Sequence, residues 1–173
     1  MLPSYSGSLT LHSTALFFLS NLYSIKPGKI VIVLVGRFAG RKAVILRVFE
    51  DGTKDRKFGH ILVAGLDKAP KRTLKGDSAD KKEKRMKVTP FVKFINMQHV
   101  MPTRYNLDIS EALNNAVGND VDLTDVAAKK DLKKTLKEKL EARYKSQGDV
   151  GGKKESGKSQ ATGAQYFFRK LRF

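Results

Sequence analysis

Gly152-Lys153-Lys154-Glu155-Ser156-Gly157-Lys158-Ser159 matches the phosphate-binding loop pattern G-x-x-x-x-G-K-S letter for letter. In such a loop, backbone amides cradle phosphates, the lysine reaches the outer ones and the hydroxyl holds a metal ion. The chemistry needs more than letters, because a buried strand must lead into the loop and a helix must leave it. Here a lysine-rich segment and Gln147-Gly148-Asp149 lead in, fourteen residues follow, and no acidic metal ligand comes after on a strand. A tail rich in Gly, Lys and Ser reaches this match easily, so it is rejected as a nucleotide site. Nucleophilic catalysis has no candidate: the chain contains no Cys, and no Ser is set in a strand-to-helix elbow. Asp51 and Asp55 look like turn acids, and His12, His60 and His99 show no metal-ligand spacing. The expectation is no enzyme, no metal and no cofactor.

Positive charge is the chemistry the chain holds in quantity. Its 173 residues include 34 Lys and Arg against 17 acidic residues, a net charge of +17. A surplus of this size repels itself in an isolated molecule and points to a polyanion, nucleic acid first and an anionic membrane surface second. No apolar run approaches the ~20 residues of a transmembrane helix. The cations fall in clusters. Lys26 and Lys29 come first, then Arg37, Arg41 and Lys42 around two glycines, then Lys54, Arg56 and Lys57. Lys71, Arg72, Lys81, Lys82, Lys84, Arg85 and Lys87 form the densest group, followed by Arg104. Lys129, Lys130, Lys133, Lys134, Lys137, Arg143 and Lys145 share one segment, and Arg169, Lys170 and Arg172 lie at the end. All are candidate RNA contacts. From Lys68 to Lys93 ten basic residues face three acidic ones, +7; so one-sided a run between strands contacts phosphate more often than it forms a merely solvated face. Residues 94 to 128 reverse the sign, one Arg against five acids, which suits a connector turned away from the polyanion.

These cations need elements to hold them. Ile30 to Val35 and Ala43 to Leu46 are rich in β-branched residues and predict two short, largely buried strands. Gly36 and Gly40, four apart in the basic turn between them, suit positive φ or a close backbone approach. Strand, basic glycine turn, strand is the pattern of the KOW motif, which suggests a small barrel that meets nucleic acid; the bland alternative is a hairpin with solvated cations. Phe58 to Leu66 reads as a third strand, 70–87 as a loop, and Val88 to Asn96 as a fourth strand whose Pro90 belongs at a sheet edge. Met101 to Tyr105 is expected to lead away from the barrel.

Thr124-Asp125 can cap a helix running to about Gln147. Its apolar positions Leu132, Leu136, Leu140 and Tyr144 form a stripe too narrow to bury much surface, so the helix is expected to lie along an RNA groove or backbone. Gly148 to Gly163 reads as a flexible basic stretch. The closing aromatics, Tyr166, Phe167, Phe168 and Phe173, alternate with cations and either stack on bases or anchor the tail on protein; spacing does not choose. Residues 1–24 carry no charged side chain. They lack the basic start and cleavage site of a secretory signal and the arginines of a transit peptide, which favours an accessory extension and a cytosolic protein. The expected organisation is an extension over 1–24, a barrel over 25–105 with a basic loop at 68–87, an acidic connector over 106–123, a basic helix over 124–147 and a tail over 148–173.

Several runs in order carry a resemblance: Lys26-Pro27-Gly28-Lys29, Gly36 to Val44, Asp51-Gly52-Thr53, His60 to Gly65, Phe91-Val92-Lys93, His99 to Tyr105, Glu141 to Lys145 and Phe167 to Phe173. On these the chain closely resembles the eukaryotic ribosomal protein twenty-seven family of the large subunit, from Ile25 to Phe173. The resemblance implies a mainly β fold with an α extension: a small SH3-like β-barrel, then a long basic C-terminal helix and tail. It also implies a structural and assembly role on large-subunit ribosomal RNA, beside other ribosomal proteins, without catalysis or cofactor. The place would be the cytoplasmic ribosome, with assembly in the nucleolus. Residues 1–24 fall outside the family pattern and inherit nothing, and 148–163 is longer than usual. Because duplex RNA hides its deep groove from side chains, backbone charge and shape are expected to dominate over base reading. The alternative function is a free KOW-type transcription or RNA-chaperone factor.

Overall fold

Apolar residues without alternation, as in Ala43-Val44-Ile45-Leu46, mean that both faces of a strand are covered. The computed structural model, which describes residues 25–107, 115, 125–146 and 163–171, shows what covers them. Its elements are β1 (Lys29–Val33), β2 (Lys42–Phe49), β3 (His60–Lys68), α1 (Ala79–Met86), β4 (Thr89–Asn96), a 3-10 turn (Met97–His99), β5 (Val100–Asn106), α2 (Val126–Ser146) and α3 (Gly163–Phe168). The strands pair antiparallel in the order β4-β3-β2-β1-β5. This is the mainly β, SH3-like barrel with a helical extension.

Side chains alternate between two cores. Val31, Val33, Ala43, Ile45, Ile61, Val63, Phe91 and Ile95 fill the first, which Met97 of the 3-10 turn and Val100 help close. Ile30, Val44, Leu46, Leu62, Ala64, Leu66 and Val92 point the other way, where Leu136, Leu140 and Tyr144 of α2 and Phe167 and Phe168 of α3 meet them. The expectation that the α2 stripe lies on RNA is therefore corrected. Its three buried residues, one turn apart, pack on the barrel, and α3 widens the contact so that the stripe need not bury itself alone. Asp125 caps α2, its Oδ1 accepting from Ala127 N at 3.0 Å, and Glu141 ties the helix to the start of β4 by accepting from Val88 N at 3.1 Å.

The glycines of the β1–β2 turn meet the expectation of positive φ, Gly36 at 90° and Gly40 at 72°, a region other residues enter only with strain. Gly40 N donates to Val33 O at 2.7 Å, and Val33 N to Arg41 O at 2.9 Å, closing the turn. Its Phe38 stacks on Phe91 at 4.0 Å. Gly65 makes room beneath, since a methyl there would overlap the Phe91 ring.

Two further expectations change. Met101 to Tyr105 does not leave the barrel: it lies in β5, which pairs with β1 through Ile32↔Met101 and Val31↔Pro102. Pro102 is tolerated because β5 ends the sheet, where one side of the strand needs no donors; Pro90 is likewise at an edge, in β4. Residues 79–86 form a helix rather than loop. Ala79-Asp80-Lys81-Lys82-Glu83-Lys84-Arg85-Met86 has strong helix formers but no apolar stripe for periodicity to reveal. The expected extension 1–24, most of the acidic connector, the phosphate-loop letters at 152–159 and Arg172 lie outside the described residues.

Candidate nucleic-acid interface

The densest cationic group is held by one acid and one arginine. Asp77 Oδ2 accepts from Leu74 N at 2.9 Å and pairs with Arg85 Nε at 3.3 Å. Arg85 Nη1 donates to Arg72 O at 3.0 Å, and its carbonyl accepts from Lys71 N at 2.8 Å. Arg85 thus closes the segment 71–87 on itself. Helix α1 buries none of its side chains, and Lys71, Arg72, Lys81, Lys84 and Lys87 are exposed, with Lys82 half-buried.

The hairpin-tip cations divide. Arg37 is exposed, and Arg41 lies 3.6 Å from Asp67 in a half-exposed pair, an interaction of little weight in water. Lys42 is a correction to the RNA-binding set: it is 6% exposed and faces the second core. Its Nζ donates to Tyr166 O and Arg169 O, both at 2.6 Å, and lies 3.8 Å from the Tyr166 ring centroid. Those carbonyls stand at the C-terminal end of α3, where helix carbonyls lack intrahelical donors and the dipole favours a cation. Lys42 caps α3. Tyr166 stacks in turn on Tyr105 at 4.2 Å, and Arg104 lies over Tyr105 at 5.0 Å. Tyr144 meets Phe168 edge-on at 5.3 Å. Tyr166, Phe167 and Phe168 therefore anchor the tail on protein, resolving the choice that spacing left open for them. Gly163 permits the approach, because a methyl there would overlap the Asn106 carbonyl of β5.

Burial, and then the neighbouring Arg169, lower the Lys42 pKa from 10.5 to about 8. The unfolded lysine keeps its proton up to about 10.5, so across that window the unfolded chain binds more protons and stability rises with pH. The stability difference between the native protein and Lys42→Met should accordingly grow in favour of the native protein from pH 8 to 10. Urea denaturation at stepped pH checks this, and a flat difference would return Lys42 to an ordinary titration.

The remaining candidates lie outward. Lys130, Lys133, Lys134 and Lys145 are exposed on α2, and Lys129, Lys137 and Arg143 are half-buried beside the apolar stripe; Lys137 approaches Glu141 at 3.9 Å. Lys26, Lys54, Lys57, Arg104, Arg169 and Lys170 are exposed and Lys29 is half-buried. Arg56 is half-buried, its guanidinium 4.5 Å over the Phe94 ring. Lys93, outside the expected set, is exposed on β4 and reaches toward the β1–β2 turn, where a Cβ on Gly36 would stand 3.8 Å from its Nζ. The available signal was its place as the outward residue among buried neighbours in Phe91-Val92-Lys93. Among the described residues no group of three or more His, Asp or Glu could hold a metal ion, and no helix is long and apolar enough to cross a membrane.

Residues 30–173 match the Ribosomal L27e protein family. The chain is 42% identical over 149 residues to the large ribosomal subunit protein eL27 of Tetrahymena thermophila, covering 86% of this chain and 97% of that protein. It is 44% identical over 153 residues to the protein of that name from Pisum sativum, with the same coverage. Against the large ribosomal subunit protein eL27z of Arabidopsis thaliana it is 44% identical over 149 residues.

Proposed function

The chain belongs to the Ribosomal L27e protein family, and from that membership we propose that it is a structural constituent of the large ribosomal subunit, binding and stabilising folded ribosomal RNA. It works on cytoplasmic ribosomes, after assembly in the nucleolus, and supports translation without catalysis. Its contacts are phosphate neutralisers: Arg37 and Arg41 at the hairpin, Lys71 to Lys87 around α1, and the lysines of α2. Backbone charge and shape supply most of the affinity. Neighbouring ribosomal proteins share the remaining surface.

The observation that carries this reading is α1. A helix that fully buries none of its side chains and touches the second core only through the half-buried Met86 adds little to the core, yet Asp77 and Arg85 hold its segment in place and leave lysines outward. An element of that kind makes sense against an external polyanion. The test is gradient sedimentation of cell lysate before and after a high-salt wash. The protein should travel with the large subunit and stay through the wash. A protein that remains at the top of the gradient, or washes off freely, is instead a free KOW-type RNA-binding factor.

A further inference from the structure

Between the β1–β2 turn, the loop before β3 and the 3-10 turn lies a cleft of about 260 Å³, lined by Val35, Gly36, Arg56, Phe58, Lys93 and His99 among others. It is below the ~300 Å³ at which sites for drug-sized ligands begin, so one flat group suits it better than an extended ligand. Large apolar side chains stay in water at its mouth: Phe58 is 49% and Val35 55% exposed. No Asp or Glu lines it, whereas Arg56 and Lys93 do.

We propose that this cleft seats one unstacked RNA nucleotide, its base against Phe58 and its adjoining phosphates on Arg56 and Lys93. The proposal rests on the RNA-binding function above and deepens it, adding a seated base to a grip made of charge. Duplex bases have both faces covered, and only a base released from its stack offers a π-face to an aromatic side chain. Phe58 is preorganised for that role. His60, on β3 and buried, donates from Nδ1 to the Phe58 carbonyl at 2.9 Å, and its ring meets the Phe58 ring edge-on at 5.9 Å. Arg56 is preorganised too: its guanidinium lies 4.5 Å over the Phe94 ring, and a guanidinium held on an aromatic face keeps its edge N–H groups for an anion. Asn96 binds Gln98 N through Oδ1 at 2.9 Å, which leaves its amide NH2 as a donor beside the site. A protein ligand for so cationic a rim would have to bring acidic groups; RNA brings phosphate and base together.

Ultraviolet irradiation of intact large subunits, followed by digestion and mass spectrometry, tests the placement. A nucleotide remnant is expected on the peptide beginning at Phe58 or on the stretch from Lys93 to His99. Remnants on α1 or α2 but none on these two overturn the proposal and leave general RNA binding standing. No remnant anywhere on the chain removes both. Amine cross-links from Lys93 to a neighbouring protein, without RNA, assign the cleft to a protein instead. With the cross-linked RNA segment as probe, Phe58→Ala in the full chain should lower affinity roughly tenfold, the scale of one base stack. The salt slope should stay unchanged and Phe58→Trp should restore binding. Equal affinity of the Ala variant and the native protein overturns the proposal.

Discussion

Replacing Phe167 by Ala is expected to destabilise the protein by about 3–5 kcal/mol, the range for truncating a fully buried aromatic side chain. Phe167 is 1% exposed. It fills the second core with Leu136 and Leu140 and lies 5.4 Å from Phe168, edge-on. The cavity would open where α3, α2 and the sheet meet. A six-residue helix has no stability of its own, since isolated helices need roughly 12–15 residues to persist even marginally. With Phe167 gone, α3 should undock, and Lys42 would lose the two carbonyls that hold its ammonium. Equilibrium unfolding in urea is the check, and a loss below about 1 kcal/mol would mean that α3 contributes little to the second core. Combined with Lys42→Met, the change should be less than additive, because both act through the same docked element.

The triple change of Lys81, Lys82 and Lys84 to Gln should act in the opposite way, leaving stability within about 0.5 kcal/mol of the native protein and weakening RNA binding strongly. Gln matches Lys closely in helix propensity, α1 has no buried side chain to lose, and the Asp77–Arg85 anchor is untouched. Each lysine that neutralises a phosphate contributes about one unit to the dependence of log affinity on log salt. The slope should therefore fall by roughly two to three units across a salt titration, for all RNA sequences alike. An unchanged slope would take α1 out of the interface. Phe167 and the α1 lysines thus separate holding the fold from holding the partner.

Much of this architecture is legible in the chain because local rules carry it. β-branched runs mark the first two strands, an apolar run and a partly alternating one mark the third and fourth, two glycines mark the turn and Thr124-Asp125 marks a helix start. The charge balance predicts a polyanion as partner. α1 and β5 escaped for specific reasons. The amphipathic signal needs apolar residues at intervals, and the only ones in α1, Ala79 and Met86, stand at its two ends. Pro102 and the outward-facing Met101 and Arg104 disguise β5, whose identity as a strand comes from pairing with β1, about seventy residues earlier in the chain. Within the candidate interface, Lys42 reads as one of a surface cluster with Arg37 and Arg41, and only the alternation of β2 turns it inward.

By itself the amino-acid sequence determined four of the five strands, the surplus of cations and the family likeness, all of which rest on residue types and short spacings. Tertiary structure alone decided which cations face outward and what the apolar stripe of α2 covers. Leu136, Leu140 and Tyr144 look too few to bury a helix until α3 and the outer face of the sheet come together around them. Lys42 looks like a phosphate ligand until its acceptors arrive from residues 124 and 127 positions further along. Burial and hydrogen-bond partnership are properties of surfaces brought together over such separations, and short-range pattern does not encode them.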